Sequence, residues 1–529
     1  MVDPISSFRD TLPTLLYTAA QSRQLDRLAQ QLPGIDGSVL MRRAGSAAFD
    51  VLRSHWPQAR RLLIFCGGGN NGGDGYVLAE LAQRAGFSVT LVALVAAEQL
   101  RGEALVACRN AVAAGVEPLP FAAERLVDTQ HDLLVDALLG TGLSGEPRAE
   151  YRAVIDWINA SALPVLALDL PSGLDADTGR VWGAAVRADL TIAFIAAKRG
   201  MLTGAGPDHC GLLGFADLEL PGALHQKLES EPVLRLTSTL LPQWLPRRPR
   251  SAHKGMFGHL LIIGGNHGYG GAVSIAAEAA LRAGAGLVTI ATRGAHLSAL
   301  LARRPEAMVR RSSQPVSTAG STWSPSVTMV RAVESGQDLE PLLALPTVIL
   351  LGPGLGQDAW AEQMVQRVLG SDLPLVVDAD GLNLLARRAT PVHRENWILT
   401  PHPGEAARLL GCDSREVEAD RFAAVQQLAE RHGGVALLKG AGTLVASAAV
   451  GGGIALCAAG NPGMASGGMG DLLSGLIAAL LAQQLSLVDA ARAGVLLHAM
   501  AGDEAAGGNE RGLLATDLLA PLRRWVNPL

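Results

Sequence analysis

The chain has little charge. Asp, Glu, Lys and Arg make up 18% of its 529 residues, against about 25% in an average soluble protein. The 44 basic and 49 acidic residues leave a net charge of −5. With 49% hydrophobic residues the chain is not disordered, because disorder requires low hydrophobicity and high net charge. It also lacks the basic surplus that nucleic acid or an anionic membrane surface would demand, so small anionic ligands have to be held by local loops. Cysteine is scarce. Cys66, Cys108, Cys210, Cys412 and Cys457 are odd in number and far apart, with no CxxC pair, which argues against a disulfide framework and a zinc site. The opening stretch carries Asp3, Arg9 and Asp10 and lacks the basic start, apolar run and cleavage site of a signal peptide; a cytoplasmic enzyme is expected. A P-loop, GxxxxGKS/T, is missing too, which removes that phosphate grip. Residues 441–470 contain no charge and exceed a bilayer span, but Gly451, Gly452, Gly453 and Asn461-Pro462-Gly463 interrupt them. The segment therefore reads as two short strands and a glycine loop.

What the chain has in quantity is glycine, 61 residues, placed at the ends of short apolar runs. After helices over 18–31 and 38–53, strands are expected at 62–66, 89–95, 133–135, 165–168 and 190–195, with helices at 75–85, 98–113 and 151–159 between them. Such alternation means βαβ units and a doubly wound, Rossmann-like α/β domain, over residues 1–230. Residues 231–254 form the expected linker, with Pro242, Pro246 and Pro249 beside Arg247, Arg248, Arg250 and Lys254; the basic cluster reads as solvated linker before nucleic-acid patch. A second alternation over 255–529 gives another α/β domain, with strands at 259–263, 287–291, 348–351, 375–377, 397–399, 435–438, 443–446 and 454–457. Helices follow at 468–484, 487–507 and 513–525. The Ser-, Thr- and Pro-rich stretch 312–327 reads as a flexible loop without chemistry.

The first strand of the first domain runs into Gly67-Gly68-Gly69-Asn70-Asn71-Gly72-Gly73-Asp74-Gly75. Gly67, Gly69 and Gly72 satisfy GxGxxG, yet no acid ends the second strand to hold a ribose, and Asp74 would repel a pyrophosphate. Two further strand ends carry acids, Asp136 before a loop from Ala137 to Gly145, and Asp169 before Leu170-Pro171-Ser172-Gly173. In a parallel sheet these ends face one crevice. Asn71, Asp136 and Ser172 offer one carboxylate and neutral oxygens, a set suited to a hard monovalent cation, which leaves Asp169 as candidate general base.

In the second domain, Asn461 to Asp471 brings several glycines to the start of a helix. Their amides make an anion hole, and Asp471 is placed to accept a hydroxyl proton beside a transferring phosphoryl group. Lys439-Gly440-Ala441-Gly442-Thr443 follows a buried-looking strand and supplies a cation and backbone donors for nucleotide phosphates.

Residues 70–75, Gly140-Thr141-Gly142-Leu143 and Asp169 to Gly173 resemble, in order, the motifs of the NAD(P)H-hydrate epimerase family. The resemblance covers residues 15–220. It implies a potassium ion at Asn71, Asp136 and Ser172. It also implies a hydrated nicotinamide nucleotide on Asn70, Asn71, Gly72, Gly73 and Asp74, on Gly140, Thr141, Gly142, Leu143, Ser144, Gly145 and Glu146, and on Asp169. The second half is similar to ribokinase-like kinases and, more closely, to the ADP/ATP-dependent NAD(P)H-hydrate dehydratases. That resemblance runs over residues 245–525 through Gly264-Gly265-Asn266, Gly271-Ala272, 352–356, 378–383, 400–405 and 467–471. It implies hydrate contacts at Ala272, Gly354 or Gly356, His402 and Asp471, and nucleotide contacts at Lys439, Gly440, Ala441, Gly442, Thr443 and Gly470. The implied activity is repair of NADHX and NADPHX by epimerisation and by ADP-dependent dehydration, with magnesium accompanying the nucleotide. A homo-oligomer is compatible with the sequence. The rival expectation is a ribokinase-like kinase for a vitamin precursor, fused to a nucleotide-binding module without catalysis.

Overall fold

The computed structural model describes residues 12–122, 130–143, 145–304, 308–310, 329–449 and 452–528. The segment 312–327 and Ser144 lie outside them. The chain divides into two compact units, Met1–Leu234 and Arg235–Leu529.

The first unit is a seven-stranded sheet of β1 (Arg61–Cys66), β2 (Ser88–Ala93), β3 (Pro118–Pro120), β4 (Leu133–Ala137), β5 (Val165–Leu168), β6 (Leu190–Phe194) and β7 (Leu212–Ala216). Its order is β3-β2-β1-β4-β5-β6-β7, parallel throughout. The main helices are α1 (Ala19–Ala29), α2 (Gly37–His55), α3 (Asn70–Arg84), α4 (Gly102–Ala113) and α5 (Ala149–Ala160). The apolar runs of the strands serve both faces. Leu62, Ile64 and Cys66 of β1 join the core under α1 to α4, while Leu63 and Phe65 point into a second core with Val154, Ile155 and Ile158 of α5. Strand order reverses between β1 and β4, the switch point at which open α/β sheets bind ligands.

The second unit repeats the plan with β8 (His259–Ile263), β9 (Leu287–Thr292), β10 (Met308–Arg310), β11 (Met329–Ala332), β12 (Val348–Leu351), β13 (Leu375–Val377), β14 (Trp397–Leu399), β15 (Val435–Leu438), β16 (Thr443–Ser447) and β17 (Ile454–Cys457). Among the described residues their order is β17-β16-β15-β14-β13-β12-β8-β9-β11-β10. β15 to β17 pair antiparallel and the others parallel. The main helices are α6 (Gly270–Ala283), α7 (Asp380–Ala386), α8 (Pro403–Leu410), α9 (Arg421–His432), α10 (Met469–Ala482) and α11 (Leu487–Ala506). Here the switch lies between β8 and β12. The uncharged stretch 441–470 contains β16 and β17, and among the described residues no helix is long and apolar enough to cross a membrane. Structure extends into 231–254 as well. Leu241 is buried, and Arg248 lies over the Phe257 ring and donates to the Gly284 carbonyl at 2.7 Å, so that arginine is engaged by packing.

At both switch points a glycine brings two loops into backbone contact. A Cβ on Gly67 would stand 1.9 Å from the Leu138 carbonyl oxygen, and one on Gly264 would stand 2.0 Å from that of Pro353. Gly69, two residues from the first, has nothing within 4 Å. Gly67→Ala and Gly264→Ala are each expected to cost roughly 3 kcal/mol, read as a lower urea midpoint, while Gly69→Ala, with open space around it but at a helix N-cap, costs under about 1 kcal/mol. Equal midpoints for all three would mean that the loops part at no cost.

Candidate active sites

Residues 70–74, expected as a loop, are the first turns of α3, with Gly69 as N-cap. The glycines explain the difference, because they let the helix sit against its neighbours. A Cβ on Gly72 would lie 2.0 Å from the Gly67 oxygen, one on Gly73 2.4 Å from Met41 Cε, and one on Gly75 2.6 Å from Ala137 Cβ. Gly72 and Gly73, expected to touch substrate, are packed closely on the side where a Cβ would stand. Asn70, Asn71, Asp74, Gly140, Thr141, Gly142, Leu143, Gly145, Glu146 and Asp169 do line one cleft of about 810 Å³.

Beneath that cleft Asp136 is fully buried. Its carboxylate accepts from Ser172 Oγ at 2.6 Å, from the Ser172 amide at 2.8 Å and from the Leu138 amide at 3.1 Å. Burial pushes it up to about 6, against those hydrogen bonds. Asn71 Nδ2 donates to the Leu139 carbonyl at 3.0 Å, and Asn71 Oδ1 is buried without a partner. An orphaned oxygen beside a hydroxyl and one carboxylate fits a hard cation of low charge. Asp169 follows β5 with φ +64°, a conformation that costs about 1 kcal/mol or more. Its carboxylate pairs with the buried Lys198 ammonium and accepts from the Phe194 amide at 3.2 Å.

In the second unit, Lys439 Nζ lies 2.8 Å from Asp378 Oδ1 and 3.7 Å from Glu405 Oε2. Burial works to lower the ammonium, but Asp378 and Glu405 outweigh it and raise it. The expected free cation for phosphate is therefore already paired with carboxylates. Gly470 packs beside this pair, since a Cβ there would meet Lys439 Nζ at 3.4 Å and Asp378 Oδ2 at 3.7 Å. Asp471, in the first turn of α10, has its carboxyl pushed up to about 7, by burial first and Asp378 next, with Lys439 opposing. His402 caps α8, its Nδ1 accepting from the Gly404 amide at 3.0 Å, while its own amide donates to Glu405 Oε2 at 2.8 Å. Burial, then Lys439, lowers its imidazole. Gly354 meets Ala272, whose Cβ would lie 3.1 Å from a Cβ on the glycine, and the Gly356 amide donates to Asp380 Oδ2 at 2.8 Å. Gly440 and Gly442 take φ +138° and +66°, and Thr443 Oγ1 closes the turn on the Gly440 carbonyl at 3.0 Å.

Sequence reasoning missed Lys198, Asp378 and Glu405 as partners, and also Asp26 and Arg23, which α1 brings to the first cleft. Lys198 had a signal: it is the first residue after the apolar run 190–197, and a buried ammonium needs a carboxylate. Asp26 had none, because it sits in an ordinary amphipathic helix pattern.

Two family descriptions match the chain: "YjeF-related protein N-terminus" over residues 37–200 and "NAD(P)H-hydrate dehydratase" over residues 260–524. The bifunctional NAD(P)H-hydrate repair enzyme of Coxiella burnetii is 48% identical over 97% of this chain and 100% of its own length. The enzyme of that description from Escherichia coli K12 is 46% identical over 98% of this chain and 95% of its own. Among solved structures, an ADP/ATP-dependent NAD(P)H-hydrate dehydratase from Bacillus subtilis, co-crystallised with ATP and Mg2+, is 29% identical over 55% of this chain and 96% of its own, with a TM-score of 0.45.

Asp471 generates a stability test. Its folded value, about 7, lies above the ordinary 3.8, so ionising it costs the folded state. The penalty is absent below the unfolded value, grows as pH rises between the two, and is complete above the folded one. Asp471→Asn is therefore expected to raise the melting temperature at pH 8 and to leave it unchanged at pH 4. A lower melting temperature at pH 8 would show that the charge is compensated.

Proposed function

The chain belongs to the family of bifunctional NAD(P)H-hydrate repair enzymes, an epimerase fused to a dehydratase, and we propose how its two units divide that work. Residues 1–230 interconvert the R and S hydrates of NADH and NADPH, residues 255–529 dehydrate the S hydrate at the expense of ADP, and 231–254 join them. The observation that carries the second assignment is Asp471, a carboxyl pushed up to about 7 at the glycine-rich start of a helix. A general base works best with a value near the operating pH. Five unpaired cysteines support a reducing, cytoplasmic location.

In the first unit the hydrate lies along Asn70, Asn71, Asp74 and residues 140–146, with Asp169 handling a proton at the hydroxyl-bearing ring carbon. Potassium would be held by Asn71, Asp136 and Ser172 and would supply positive charge at the floor of the cleft. In the second unit Ala272, Gly354, Gly356 and His402 hold the hydrate. The turn Lys439, Gly440, Ala441, Gly442 and Thr443 and the amide of Gly470 hold the nucleotide. Asp471 takes the hydroxyl proton as that oxygen attacks the β-phosphorus of ADP and AMP departs. The phosphate then leaves the ring carbon as a proton leaves its neighbour, which restores the ring double bond. Hydroxide is a poor leaving group and phosphate a good one, which is why a nucleotide is consumed. Magnesium accompanying the nucleotide would neutralise transferring charge, with Asp378 and Asp471 the carboxylates that could hold it.

The test follows reduced-nicotinamide absorbance after the protein is added to mixed R and S NADPHX with potassium, magnesium and either ADP or ATP. Complete recovery, faster than spontaneous epimerisation and better with ADP, is expected. Asp169→Ala should stop recovery at the S fraction, and Asp471→Ala should abolish it by ~100-fold or more while epimerisation continues. Replacing potassium by lithium should slow only the epimerisation phase. Recovery with neither nucleotide would overturn the dehydratase assignment.

A further inference from the structure

Helix α1 is capped by Thr18, whose hydroxyl accepts from the Gln21 amide at 3.1 Å. It lays Ser22, Asp26 and Gln30, at successive four-residue steps, along one wall of the epimerase cleft. Asp26 is the carboxyl of that wall. It is half-buried and accepts no side-chain hydrogen bond among the described residues. Asp169 and Asp74 face it from β5 and α3, with Lys198 after β6 and Arg27 on its own helix; Arg23 lines the same cleft. The turn Gly222–Lys227, packed on α1, turns His225 onto the Tyr17 ring 5.3 Å away. Burial first, and Asp169 next, push the Asp26 carboxyl up to about 6, with Lys198 and Arg27 opposing. Asp169, in contrast, is tied to Lys198 and to the Phe194 amide.

Inverting a carbon that carries both a ring nitrogen and a hydroxyl requires two proton-handling groups. One has to protonate the departing oxygen, and the other has to deprotonate the water that arrives on the opposite face. Two carboxyls whose surroundings differ as much as these are the arrangement that separates an acid from a base. Resting on the epimerase assignment made above, we propose that Asp26 is a second catalytic residue of the first unit, the acid that delivers a proton to the hydrate hydroxyl while Asp169 acts as the base. Asp26 gives its proton to the hydroxyl oxygen. The carbon–oxygen bond then breaks, its electron pair leaving with water, and the ring nitrogen lone pair closes a C=N bond. Solvent water adds from the opposite face through its oxygen lone pair, the nitrogen recovers its pair, and Asp169 accepts the surplus proton. Exchange of both carboxyls with solvent across the open cleft restores the starting protonation, and running the steps backwards converts the other epimer.

The experiment uses the full chain and purified R hydrate without nucleotide, with the epimers separated chromatographically. The wild type, Asp26→Asn and Asp26→Glu are compared across pH 5 to 8. The expected result is a kcat about 100-fold lower in Asp26→Asn with KM little changed. The fall of wild-type activity as pH rises through about 6 should vanish in that variant, and Asp26→Glu should recover part of the rate. All three should dehydrate purified S hydrate with ADP equally, which reports an intact fold. In H2(18)O the wild-type product should carry the label in its hydroxyl. Asp26→Asn within about threefold of wild type would overturn the proposal, as would a slow variant that keeps the wild-type pH limb. Failure of the wild type to epimerise, with dehydration intact, would overturn the epimerase assignment itself.

Discussion

Both catalytic regions depend on one steric constraint, the contact of a glycine Cα with a carbonyl across the switch point of a parallel sheet. Gly67 meets the Leu138 carbonyl between β1 and β4, and Gly264 meets that of Pro353 between β8 and β12. Because no side chain intervenes, the loops after two neighbouring strands share a floor. In the first unit that floor carries Asn71, Asp136 and Ser172. In the second it continues through Gly352, whose Cβ would lie 1.8 Å from the Asp378 backbone carbonyl oxygen, and so positions the backbone of the residue whose carboxylate pairs with Lys439. The position of the chemistry is thus a consequence of how closely backbones pack, before any charged group is considered.

Charge then differentiates the carboxyls gathered there. Each unit sets one lysine against carboxylates, the buried Lys198 against Asp169 and the partly buried Lys439 against Asp378 and Glu405. Removing charge from water is costly unless it is paired. The neighbours that lack such a partner, Asp26 and Asp74 in one unit and Asp471 in the other, are raised by burial and by the carboxylate already present. A paired and an unpaired carboxyl in one cleft have different surroundings, and this is how a site made of chemically identical groups can divide the roles of acid and base.

Much of the fold could be read in the sequence because the central strands are buried on both faces, so Leu62 to Cys66 or Val348 to Leu351 appear as unbroken apolar runs. The strands that escaped notice lie elsewhere: β3 is Pro-Leu-Pro with two of its three residues exposed, β7 is interrupted by Gly214, β10 is the edge strand and β11 the one beside it. Candidate residues stood out where an acid ends a strand, as at Asp136 and Asp169, or opens a helix after a glycine-rich loop, as at Asp471. Residues 70–74 were misread as a loop because their glycines look like a turn, whereas in the structure they let a helix dock. Asp26 was not legible at all, since its place opposite Asp169 is created by the docking of α1 and leaves no local pattern.

The low charge of the chain now acquires a physical sense. Its substrates are dinucleotides and nucleotides, which are polyanions, yet its lysines at the two sites are already paired with carboxylates. On the assignment proposed above, phosphate recognition would fall to backbone amides at the start of α10 and in the turn over 439–443, where Gly440, Gly442 and Gly468 take positive φ. Amides carry no net charge, so they bind phosphate without the like-charge repulsion that a basic cluster would impose on Lys198 and Lys439. A chain rich in glycine and poor in Lys and Arg is the composition that this division of labour requires. The net −5 is accordingly no obstacle to an anionic substrate, because recognition is local and its donors are peptide groups.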